Sequence, residues 1–163
     1  MTLKGKIKEL PSIAKLFLAT FVISLSLGYT TAFYFLTDTT GPTPKGVQTN
    51  YLGNENEQNP EGKRKFKMSK RELLTTIHDH TISISLIFLA IGSIFLLTDV
   101  RPSLKKFFLV EPFISIIVTF GGIWLMWTGV IWFKYIIMIS GSLMTFSYYF
   151  MAVVVLWQLK NIE

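Results

Sequence analysis

Four long stretches of this chain carry no charge at all, and that constrains its fold more than any other feature. Between Lys15 and Asp38 lie 22 uncharged residues, between His80 and Asp99 18, between Glu111 and Lys134 22, and between Lys134 and Lys160 25. A helix rises about 1.5 Å per residue, so about 20 apolar residues cross a hydrocarbon layer of about 30 Å. The pattern therefore predicts four membrane-spanning helices. Only 16% of the 163 residues are charged, 50% are hydrophobic and the mean hydropathy is +0.46. A soluble domain normally carries about 25% charge, so an ordinary soluble enzyme is excluded.

There is no cysteine, which rules out disulfides, zinc–thiolate sites, iron–sulfur clusters and covalently attached c-type haem. The net charge of +6 reads as basic residues near anionic headgroups. No nucleic-acid-binding signature accompanies it, so nucleic acid is not an expected partner. Lys4, Lys6, Lys8 and Lys15 precede an apolar run too long for a signal-peptide core of about 7–15 residues. That run is read as a retained first transmembrane helix.

The expected organisation is a single transmembrane domain over 1–163, an all-α integral membrane four-helix bundle. The spans are placed at about 13–36, 70–98, 104–128 and 131–159, with a long polar loop at 37–69 between helices one and two. Ser12 is a plausible cap for the first helix. Along that helix Thr20, Ser24, Gly28 and Ala32 recur every four residues, a small-residue stripe that predicts a packing face. The loop opens with Thr39-Thr40-Gly41-Pro42-Thr43-Pro44, which favours turns and extended chain, continues through an acidic middle and ends basic. Ser69-Lys70-Arg71-Glu72 is a capping box. Asp99-Val100-Arg101-Pro102 ends helix two, and Thr128-Gly129 is the expected turn between helices three and four. Trp124, Trp127 and Trp132 mark one interface and Trp157 the other.

Four spans put both ends on one side, and each side carries eight Lys and Arg. The first helix usually dominates orientation and the basic excess on the N-terminal side lies in short segments. Both features place the N- and C-termini on the cytoplasmic side.

The two histidines, His78 and His80, flank Asp79 in the first third of helix two. Ionisable groups entering a bilayer are costly and therefore functional candidates. Residues two apart on a helix diverge by about 200°, so His78 and His80 cannot ligate one metal from one continuous helix. His78, Ser85 and Gly92 share a heptad stripe expected to face the bundle. His80 would face a partner, the interface or the loop. Three chemistries follow: axial ligation of a b-type haem, binding of a quinone headgroup by either histidine, or binding of a metal ion at the outer interface with help from the loop. A haem site needs a second ligand from another copy, a partner subunit or a methionine such as Met126, Met138 or Met144. The structural reading gives Asp79, Glu72, Glu111, Ser85 and Gly92 roles in partner contact or bundle register.

Glu111 is read as an interfacial carboxylate paired with Lys105, Lys106 or Arg101 near the inner boundary. Ser83, Ser85, Ser93, Ser115, Thr119 and Ser140 look too scattered to build a polar route through the bundle. The chain has no G-x-S-x-G, H-E-x-x-H or phosphate-binding glycine loop, so no hydrolytic enzyme is expected.

Thr43-Pro44-Lys45-Gly46-Val47, Tyr51-Leu52-Gly53 and Glu72-Leu73-Leu74 followed by His78-x-His80 and Gly92 resemble a group of small bacterial four-helix inner-membrane proteins. That group carries an H-x-H motif at the start of its second transmembrane helix. The resemblance covers most of the chain from the loop onward and implies architecture without a mechanism. The expected role is a non-catalytic accessory or scaffold subunit of a larger membrane complex. It would contact lipid and other membrane subunits or a second copy, with haem or quinone binding as the alternative.

Overall fold

The computed structural model describes residues 6–55 and 64–160. Lys4, Lys63 and residues 56–62 of the loop, with Glu57 and Glu61, lie outside the described residues. Five α-helices follow a short 3-10 turn at Lys6–Glu9: α1 (Ser12–Thr39), α2 (Pro44–Leu52), α3 (Lys70–Phe95), α4 (Pro102–Trp127) and α5 (Phe133–Leu159). Four of them, all but α2, are long and apolar enough to cross a membrane, so the protein is a multi-pass membrane protein.

Local chemistry explains the boundaries. Ser69 accepts from the Glu72 amide and Glu72 reaches back to the Ser69 amide, so the capping box forms as the sequence predicts. α3 ends at Phe95, three residues before the expected boundary. Leu97 and Thr98 donate to Ile94 and Phe95 in a tightened last turn, and Lys105 Nζ covers the carbonyls of Leu96 and Thr98. Pro102 occupies the first turn of α4, where a missing N–H costs nothing. Gly129, at φ 120°, turns the chain into α5.

The segment expected to be turns and extended chain holds α2 instead. Thr43 accepts from the Gly46 amide and Pro44 fills the first turn, a cap-plus-proline start. α2 packs on α5 and α4 through Val47 and Tyr51. Burial pushes the Tyr51 phenol above its usual pKa. Asn54 and Lys65 clasp the two ends of the remaining loop by paired bonds of 2.9 and 2.8 Å. Gly53, at φ 73°, makes the clasp possible: a Cβ there would lie 2.6 Å from the Lys67 nitrogen.

α4 and α5 form the central antiparallel hairpin, and α3 packs on both. Gly122 lets the pair approach, since a Cβ would meet Ile137 at 3.1 Å. α1 packs mainly on α5. Val22 is its one fully buried residue, flanked by Leu18, Leu25 and Tyr29. The small-residue stripe is therefore not the packing face. Thr20, Ser24, Gly28 and Ala32 are exposed, and a Cβ on Gly28 would touch nothing. An aromatic stack displaces it: Tyr29 lies flat on Tyr148 at 3.9 Å. Ser26 shares a hydrogen bond with Tyr148 at 3.1 Å, and Thr30 one with Tyr149 at 2.8 Å.

At the end of the bundle holding the 3-10 turn, the basal end, Ile7 is buried and its amide donates to Leu97. Gln158 accepts from the Asp99 amide at 2.7 Å. The apical end holds α2, the start of α3 and the α4–α5 turn.

Candidate functional site

The depth of the histidine turn follows from its neighbours. Trp127 Nε1 donates to the Met68 carbonyl at 2.9 Å and Lys67 lies 4.6 Å over the Trp127 ring. These contacts fix the entry of α3 at the level of the apical tryptophans, which mark the membrane interface. His80 sits about 15 Å of helix below Lys70, opposite Phe120, with ring centroids 5.9 Å apart. Asp79 is sixteen residues before Phe95, about 24 Å, less than the roughly 30 Å of a hydrocarbon layer. The turn thus lies in the apical half of the spanning helix.

α3 is continuous from Lys70 to Phe95, so the two rings diverge as the periodicity requires. His78, Asp79 and His80 are all exposed. The expectation that His78 faces the bundle is not met: the heptad stripe emerges from the core, with Gly92 buried, Ser85 half-buried and His78 outside. Gly92 packs against Leu109, which a Cβ would meet at 3.2 Å. The inward face runs through Leu73, Phe88, Ile91 and Phe95. Glu72 is held in the capping box and lies on the surface.

His80 Nδ1 lies 2.9 Å from the Thr76 carbonyl. A carbonyl only accepts, so Nδ1 carries the proton, and in the neutral ring Nε2 keeps its lone pair. That tautomer leaves Nε2 able to accept a hydrogen bond or ligate a metal. Among the described residues no three His, Asp or Glu side chains cluster at metal-binding range.

Glu111 departs from its expected place. It is 7% exposed and lies within the α4–α5 seam, about 13 Å of helix beyond Pro102. Its carboxylate accepts from Ser115 at 2.5 Å on its own helix and from Ser147 on α5. Lys105 turns its ammonium toward the end of α3 instead. One further turn along, Thr119 and Ser140 share a bond of 2.7 Å. Glu111, Ser115 and Thr119 recur every four residues and Ser140 and Ser147 every seven, so each set occupies one helix face. Three of the six hydroxyls read as scattered, Ser115, Thr119 and Ser140, join Glu111 and Ser147 in a buried polar seam, and Ser85 is half-buried on α3. Ser83 and Ser93 stay outside it and bond back to Asp79 and Leu89. Sequence reasoning missed Ser147 and Tyr148 altogether; the signal for Ser147 was its heptad relation to Ser140.

No curated protein and no solved structure matches the chain. A family model described as a transmembrane helical domain matches residues 41–161, from the foot of α2 to the end of α5. The match spans both the histidine turn and the carboxylate seam, and the chain belongs to this family of transmembrane helical domains.

Proposed function

We propose that the protein is a non-catalytic subunit of a larger assembly in a bacterial inner membrane, with both termini cytoplasmic and the His78–Asp79–His80 turn in contact with a partner. One observation supports this most: Asp79 is exposed inside the span. A carboxylate at the centre of a lone helix costs about 2.5–3.5 kcal/mol to insert, and its cost falls toward the interface. A partner helix covering Asp79 removes that cost and gives the flanking imidazoles hydrogen-bond partners. The glutamate seam, by contrast, is satisfied within the chain and serves register.

The chain has no cysteine, so a single nitroxide can be placed without background. A label at His78 in native membranes should be shielded from dissolved oxygen relative to one at Ile139, which is 69% exposed. Equal oxygen access at the two sites would sink the assembly reading.

The His80 tautomer favours a second reading, a redox module in which Nε2 ligates a b-type haem or bonds a quinone carbonyl. A Soret band lost in His80→Ala and kept in His78→Ala would install it. A colourless preparation that retains a stoichiometric membrane partner supports the assembly.

A further inference from the structure

At the apical end a cleft of about 680 Å³ runs from the segment leading into α3 down the first two turns of that helix. Lys65, Lys67 and Arg71 line it together with Phe66, Met68 and Thr75. The cationic groups sit at the level of Trp127, where headgroups lie. Lys65 Nζ is fixed by the Thr39 carbonyl at 2.5 Å and Asn50 Oδ1 at 2.9 Å, and Lys67 Nζ by the Trp127 carbonyl at 3.2 Å. Both ammonium groups are therefore anchored in place, and each has donors beyond those contacts. The one carboxylate of the lining, Glu72, is turned back onto Ser69. Apolar surface borders the cations: Phe66, between Lys65 and Lys67, is 78% exposed and Leu74, one turn below Arg71, 45%, while Thr75 and Thr76 close the lower lining.

We propose that this cleft binds the headgroup of an anionic phospholipid, with the phosphate among Lys65, Lys67 and Arg71 and the upper acyl chains against Phe66 and Leu74. Three cations outnumber the two nearby carboxylates, Glu72 on Ser69 and Glu55 on the Lys67 amide, and select a net negative headgroup. A zwitterionic headgroup balances its own phosphate and gains less from the same field. Exposed Phe66 and Leu74 beside the cations select an amphiphile over a free anion. The cleft ends at Thr75 and Thr76, about one turn above Asp79 and His80.

The test uses the full chain in nanodiscs of phosphatidylcholine and phosphatidylglycerol in equal parts, with retained lipid read by native mass spectrometry. Phosphatidylglycerol should be enriched in the retained fraction. Lys67→Gln with Arg71→Gln should lower that enrichment about tenfold, while Arg101→Gln with Lys106→Gln at the basal end leaves it unchanged. Arg71→Gln alone, which keeps the Lys67–Trp127 contact, must also lower it. Equal retention of the two lipids, or enrichment that survives the apical variants, overturns the proposal. So does displacement of phosphatidylglycerol by inorganic phosphate, which would make the site one for a free anion.

Discussion

The Glu111 carboxylate of α4 accepts a hydrogen bond from the Ser147 hydroxyl of α5, and this pair fixes the register of the two most extensively packed helices. A slip of either helix by one residue would carry a carboxylate or a hydroxyl into an apolar layer, where an unpaired polar group is costly.

Ser147→Ala removes one of the two hydroxyl donors and leaves the carboxylate under-satisfied in a buried seam. It should destabilise the protein by about 1–2 kcal/mol in a reversible unfolding assay in bicelles. Glu111→Gln should cost less than Ser147→Ala, because the amide can still pair with both serines. The reverse order would mean that charge, not hydrogen bonding, holds the seam.

Tyr29→Ala should loosen α1 without unfolding the rest. The Tyr29–Tyr148 stack and the Ser26 and Thr30 hydroxyl contacts are the main polar and aromatic ties between α1 and α5. Losing the stack removes about 0.5–1.5 kcal/mol beyond area burial. Spin-label distances between α1 and α5 should broaden, while those between α4 and α5 keep their width.

Gly53→Ala should open the apical clasp. Positive φ disfavours any side chain at this position and the new Cβ would meet the Lys67 backbone. Hydrogen exchange at the Asn54 and Lys65 amides should speed by about tenfold or more, in keeping with a local cost of at least 1 kcal/mol. Unchanged protection at both amides would contradict the geometry.

Thr43→Ala should cost about 1 kcal/mol, the usual worth of a side-chain N-cap. Because α2 is short, the loss should appear as faster exchange throughout residues 46–52 and leave α3 untouched.

The spans, the capping box at Ser69 and the glycine turn at Gly129 were legible because each depends on a local pattern that nothing distant overrides. α2 was equally local: Thr43-Pro44 is a helix start, but the preceding Gly41-Pro42 masked it. The face of α1 was not legible. The helix is apolar all round, so periodicity points nowhere, and the choice between the small stripe and the Tyr29 stripe is made by Tyr148 far along the chain. Glu111 failed for a related reason. Its four-residue spacing to Ser115 and Thr119 was visible, but only the register of α5 decides whether such a row faces a neighbour or lipid. The outward turn of His78 likewise reflects how little of α3's first half α1 covers.

The basal turn holds both flanks of the described chain, through Ile7 on Leu97 and Gln158 on Asp99. The molecule is therefore a nearly closed circuit. A short bridge joining the neighbourhoods of residues 6 and 160 would complete it, and the chain could be reopened at the apical loop beyond Glu55. The cut protein would keep every helix contact while its new ends appeared on the opposite face of the membrane. Reporters fused there would report on the apical side of the membrane.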